Sequence, residues 1–89
     1  MERPDLYVVA RFLDVLYANG QPMKKTNIQM RVGLNYSRFS QYLDWLLAHG
    51  LVKRADDPTD DLYELSPKGV ESYHSLVDWI RNTLRGMKI

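Results

Sequence analysis

The sequence predicts a mainly α-helical (α+β) domain, with three helices, a β-hairpin and a long closing helix. Three observations carry this. A short helical pattern breaks at Gly33, and Asn35 opens a second, amphipathic pattern two residues later, as in a helix-turn-helix. Two strand-like runs, Leu51–Arg54 and Leu62–Leu65, flank a turn rich in aspartate and containing proline. Ser66-Pro67 then supplies a cap residue and a proline suited to the first helical position. The order is that of a winged helix-turn-helix with a β-hairpin wing and a long C-terminal helix.

The 89 residues suit one domain. Residues 1–66 are read as the winged helix-turn-helix and residues 67–89 as a C-terminal dimerisation helix of the same domain. A fold of this size buries only roughly 60–65% of its unfolded surface, so a partner copy would add stability. No apolar run approaches the ~18 residues that span a bilayer, and Met-Glu-Arg-Pro-Asp lacks a signal-peptide pattern. Cysteine is absent, which excludes disulfides and thiolate chemistry and agrees with a cytoplasmic location.

The first helix is expected over Asp5–Asn19, with Leu6, Val9, Leu13 and Leu16 as its inward stripe. Asn19-Gly20 ends it, because glycine adopts the left-handed conformation without steric cost. Gln21–Met23 is a connector with room for a short strand. The second helix runs from about Lys25 to Val32, with Ile28 and Val32 inward. Thr26 and Gln29 fit a capping box unless Thr26 already lies in the first turn. Asn35 is placed to cap the third helix, Tyr36 to about His49, which closes at Gly50. At 100° per residue, Tyr36, Phe39, Leu43, Leu46 and Leu47 project inward, and Ser37, Arg38, Gln41 and Trp45 outward. Trp45 is expected under the wing or at a subunit contact.

Charge divides the chain unevenly. Residues 24–54 hold six basic groups (Lys24, Lys25, Arg31, Arg38, Lys53, Arg54) against Asp44 alone, a balance of +5, whereas residues 55–89 carry −3. A positive field over the middle of the chain suits a phosphate-binding face. In a helix-turn-helix the second helix enters the major groove. Ser37, Arg38 and Gln41 are side-chain types that read base edges, arginine pairing with guanine and glutamine with adenine. Lys24, Lys25, Asn27 and Arg31 are placed for the sugar-phosphate backbone, which positions the protein without reading sequence. Tyr36 has a hydroxyl for phosphate and a ring for the core.

Several segments resemble small archaeal winged-helix DNA-binding proteins that dimerise through a C-terminal helix. They are Lys25-Thr26-Asn27-Ile28, Leu34-Asn35-Tyr36, Tyr42-Leu43 with Leu46, Gly50-Leu51-Val52, and Tyr63-Glu64-Leu65-Ser66-Pro67-Lys68-Gly69. The similarity covers roughly residues 5–75. It implies double-stranded DNA as partner, the third helix as recognition helix and the hairpin as wing. By position it puts Tyr36, Ser37, Arg38 and Gln41 at the groove and Lys25 near the backbone.

The wing departs from that pattern. Ala55–Asp61 carries Asp56, Asp57, Asp60 and Asp61, which phosphates repel. The tip is therefore expected to stay off the minor groove, leaving Lys53 and Arg54 at the hairpin base to help. The acids lack the spacing, glycine and terminal glutamate of a calcium loop. In the last helix, extending to about Met87, Val70, Tyr73, Val77, Ile80, Leu84 and Met87 alternate steps of three and four, a heptad seam. Leu76 and Trp79 widen it. The first half is expected to pack on the first helix. The second would leave an apolar patch unless a second copy covered it, so Tyr73, Leu76, Val77, Trp79, Ile80, Leu84 and Met87 are assigned to a homodimer interface.

The sequence has no glycine-rich phosphate loop and no supported Ser-His-Asp spacing, and His49 and His74 stand apart from other metal ligands. No enzyme activity, cofactor or metal is expected. The reading is a homodimeric transcriptional regulator that binds double-stranded DNA. The alternatives are a winged-helix protein-interaction or assembly module, which the acidic wing favours, and a sequence-tolerant chromatin protein.

Overall fold

Asp5 opens the first helix by accepting the Tyr7 N–H through its carboxylate at 2.9 Å, satisfying one of the amides that a helix start leaves without a partner. The computed structural model describes residues 3–56 and 61–85, with side-chain surroundings as far as residue 83. Its elements are α1 (Leu6–Asn19), β1 (Met23–Lys24), α2 (Lys25–Val32), α3 (Tyr36–Ala48), β2 (Val52–Arg54), β3 (Leu62–Leu65) and α4 (Pro67–Arg85). This is the winged helix-turn-helix order that the sequence predicts. The connector after α1 does form a strand, so the hairpin grows into an antiparallel sheet of order β1-β3-β2, with Met23 opposite Tyr63 and Val52 opposite Leu65.

The core joins Val8, Val9, Phe12, Leu13 and Leu16 of α1 to Ile28 and Val32 of α2 and to Phe39, Tyr42, Leu43 and Leu46 of α3. Met23, Leu51, Val52 and Tyr63 close it from the sheet side. The Phe12 and Phe39 rings stack at 5.5 Å and fix α3 on α1.

Two local readings need correction. Leu6 is not in the core: it is 65% exposed, because the first turn of α1 faces the far half of α4 rather than α3. Tyr36 is 63% exposed instead of inward. It is the first residue of α3, ahead of the point where that helix beds down, and Tyr42 takes the inward place, its hydroxyl accepting the Asp5 N–H at 2.8 Å. Of the two places open to Thr26, the structure takes the first turn of α2 rather than a capping box: the helix starts at Lys25, Lys24 is the N-cap residue without a side-chain cap, and the Gln29 amide donates to the Leu34 carbonyl at 3.3 Å. Leu47 is only partly buried, and Trp45 is half-buried with its ring 4.2 Å from that of His49.

The start of α4 is clamped by Ser66, Lys68 and Gly69. Ser66 Oγ accepts the Gly69 N–H at 2.9 Å and donates to the Gly50 carbonyl. Lys68 Nζ donates to the His49 carbonyl at 2.9 Å. Gly69 is buried so closely against Leu51 that a Cβ would overlap the Leu51 carbonyl oxygen.

Further along, Tyr73 Oη donates to Asp14 Oδ1 at 2.6 Å, and its ring stacks on Tyr17 at 4.6 Å. Donation to a carboxylate favours the neutral phenol, and this hydrogen bond, with burial and the charge of Asp14 adding to it, raises the Tyr73 pKa above its ordinary value. A folded-state pKa above the unfolded one means that the stability from this contact is complete below about pH 10 and is lost as pH rises through the folded value. Tyr73→Phe should therefore cost about 1 kcal/mol at neutral pH and shrink the alkaline loss of stability. Denaturant unfolding at pH 7 and above pH 10 checks both effects.

Candidate nucleic-acid interface

The turn between α2 and α3 is held from both sides. Gly33 takes φ 77° and donates its N–H to the Gln29 carbonyl at 3.0 Å. Arg11 Nη1, from α1, donates to the Val32 carbonyl at 3.2 Å, so the end of α2 is tied to the body. Asn35 caps α3 as its sequence position predicts, its side chain accepting the Arg38 N–H at 2.9 Å. With Phe39, Tyr42, Leu43 and Leu46 buried beneath, the opposite face of α3 is left free.

That free face presents Tyr36, Ser37, Arg38 and Gln41, all exposed. The Arg38 guanidinium lies 5.8 Å from the centre of the Tyr42 ring, a cation–π approach. Lys24, Asn27 and Arg31 are exposed and Lys25 is half-buried. Lys24, Asn27 and Arg31 border one open groove of about 590 Å³ between α2 and the sheet, with Met30 and Leu62 in its lining. The cations are legible in the sequence as candidate phosphate contacts, whereas Met30, 80% exposed, carries no such signal.

At the wing, Lys53 and Arg54 are exposed, and Arg54 Nη1 lies 3.5 Å from Asp61 Oδ1. Such an exposed pair contributes only about 0–1 kcal/mol, but the aspartate locally opposes Arg54, one of the two cations at the hairpin base. Asp56 and Asp61 are exposed; Asp57 and Asp60 lie outside the described residues.

The residues assigned to dimerisation divide. Tyr73 is engaged by α1 of its own chain, whereas Leu76, Val77 and Ile80 are half-buried and Trp79 is 61% exposed. The side chain of Leu84 and all of Met87 lie outside the described residues. Leu76, Trp79 and Ile80 face Leu6, Tyr7 and Ala10 across an apolar hollow of about 220 Å³. The α1 wall escapes the sequence reading, although Leu6, Tyr7 and Ala10 have the three- and four-residue spacing of a second stripe.

No described helix is long and apolar enough to cross a membrane, and the described residues contain no cluster of three or more metal-ligating side chains.

The chain belongs to the winged helix-turn-helix family, whose model matches residues 3–84. The sequence matches no curated protein. Among solved structures it is similar to F93 from STIV, a winged-helix DNA-binding protein, with 15% identity, a TM-score of 0.78, and coverage of 89% of this chain and 92% of that one. The PcaV transcriptional regulator from Streptomyces coelicolor, solved with its natural ligand, is 24% identical with a TM-score of 0.77, over 97% of this chain and 62% of that one. A MarR family transcriptional regulator from Silicibacter pomeroyi DSS is 20% identical with a TM-score of 0.74, over 86% of this chain and 52% of that one. The chain thus spans nearly all of F93 but less than two thirds of the two longer regulators. The shared feature is the fold.

Proposed function

We propose that this protein is a non-enzymatic, homodimeric transcriptional regulator that binds double-stranded DNA in the cytoplasm with α3 in the major groove. The observation that carries the reading is the braced turn, which leaves Ser37, Arg38 and Gln41 exposed on the free face of α3. Arg38 and Gln41 read base edges, Ser37 and Tyr36 support them, and Lys24, Lys25, Asn27 and Arg31 hold the backbone. Arg54 adds a lesser contact at the wing base. Dimerisation through α4 extends the likeness to archaeal relatives noted in the sequence and presents two recognition helices to successive major-groove faces.

Titration with duplex at two salt concentrations tests this. Affinity is expected to fall by roughly one logarithmic unit of slope per phosphate contact. Arg38→Ala should lose about tenfold or more in preference for the best site over random duplex. Lys25→Ala should weaken all duplexes alike and lower the salt slope by about one. No binding at low salt refutes the proposal. Equal loss on all sequences in Arg38→Ala refutes the placement of α3. Selection from a random duplex pool separates a regulator, which enriches a motif, from a sequence-tolerant chromatin protein, which does not.

A further inference from the structure

The groove between α2 and the sheet has a composition that phosphate contact alone does not explain. Asn27 and Arg31, four residues apart, share a face of α2, and Lys24 stands beside them at the end of β1, immediately before that helix. Asn19 adds a further polar group, and Leu62, Pro22 and Met23 supply apolar surface. No carboxylate is among its lining residues, and neither Lys24 nor Arg31 makes a salt bridge among the described residues. Met30, 80% exposed at the rim, is the discordant residue: a thioether offers nothing to a phosphate oxygen. Methionine and arginine are, however, enriched where proteins meet proteins, and methionine adapts to varied apolar partners.

We propose that this groove docks a short acidic segment of a partner protein and, because it engages Lys24 and Arg31, excludes the DNA backbone from the same cations. Carboxylates of the segment would pair with Lys24 and Arg31, and an apolar anchor between them would lie on Met30 and Leu62. At about 590 Å³ the groove has room for a few side chains, which fits a short segment better than a broad protein face. Charge complementarity selects the acidic partner, and the apolar lining selects one with an anchor. The exclusion of DNA rests on the proposed backbone contacts; the docking does not.

The test is a nuclear magnetic resonance titration of the full chain with a synthetic peptide of glutamates around a central leucine pair. Shift changes are expected to cluster at Lys24, Asn27, Met30, Arg31 and Leu62. Binding should weaken by about tenfold in Arg31→Glu and several-fold in Met30→Ala. An all-glutamate peptide should bind at least about tenfold more weakly, since it lacks the anchor. Added duplex should displace the leucine-containing peptide. Shifts centred on α3, failure to saturate, or equal affinity for the all-glutamate peptide would each overturn the docking. Simultaneous binding of peptide and duplex would overturn the exclusion. A protein that binds the peptide in the groove but no duplex would refute the DNA reading and leave the docking supported.

Discussion

An Ile80→Asp protein is expected to run as a folded monomer and to bind its best duplex at least a hundredfold more weakly than the parent. Ile80 is half-buried beside exposed Trp79 and Leu76, on one wall of the hollow that Leu6, Tyr7 and Ala10 face from α1. In the proposed dimer a second copy covers this surface. An aspartate there must lose its water or keep the copies apart, and burying an unpaired carboxylate costs several kcal/mol, more than a small interface can offset. Loss of the second recognition helix then removes the gain from linked half-site binding, typically a factor of 10²–10⁴. Light scattering on a sizing column, with circular dichroism to confirm the fold, measures the first effect, and duplex titration the second. Leu6→Asp, on the opposite wall, should act in the same way. Leu6 lies outside the core, so its replacement leaves the monomer intact. A parent protein already monomeric at micromolar concentration would refute the dimer.

The parts of this fold that were legible in the sequence are those where one local rule acts unopposed. Asn35 caps α3 because its neighbours leave it that role and nothing else competes for its side chain. Gly33 turns the chain because the left-handed conformation, φ 77° here, disfavours other residues. Periodicity found every helix. It failed at the first turns of α1 and α3, where Leu6 and Tyr36 have inward spacing but no element packed closely enough to bury them. Spacing specifies a direction around a helix, whereas burial depends on what lies opposite, and that is a tertiary property.

The candidate site was legible for a related reason. The outward face of α3 is the complement of its inward stripe, so Ser37, Arg38 and Gln41 follow once Phe39, Leu43 and Leu46 are identified. The α2 groove was not legible, because it joins residues 19–31 to Leu62, and the pairing of β1 with β3 that does so rests on a two-residue strand too short to show a period. The second wall at α4 was hidden likewise, since Leu6, Tyr7 and Ala10 acquire meaning only from the course of α4.

The Ser66-Pro67-Lys68-Gly69 run, which supports the family likeness in the sequence, has a mechanical role, and Gly69→Ala should be severely destabilising. In an open helix this change is favourable by about 1 kcal/mol. Here the new Cβ would overlap the Leu51 carbonyl oxygen, with the carbonyl carbon only 3.0 Å and Leu65 Cδ2 3.3 Å away. The obstacle is backbone, so no rotamer change relieves it. The same oxygen accepts the Ser66 N–H at 3.1 Å, so moving it away from α4 weakens the bond that joins the residue before β2 to the residue after β3. Overpacking of this kind costs typically 1–3 kcal/mol or more, and the strained hydrogen bond about another 1 kcal/mol. Because the obstacle is backbone, the upper end of the overpacking range applies, and after the helix-propensity gain a net loss of about 3 kcal/mol is expected. For a domain of this size each kcal/mol lowers Tm by roughly 4–8 °C, so a fall of about 12–24 °C should appear in thermal unfolding. Gly20→Ala is the control. Gly20 has φ 70° and open space around its Cβ position, so only backbone strain opposes the change, at roughly 1–2 kcal/mol. If Gly69→Ala cost no more than Gly20→Ala, the close approach of α4 to Leu51 would be wrong. If it cost more, the packing of Gly69 on the Leu51 carbonyl, which with the Ser66 and Lys68 hydrogen bonds fixes the start of α4 on the domain, would be upheld.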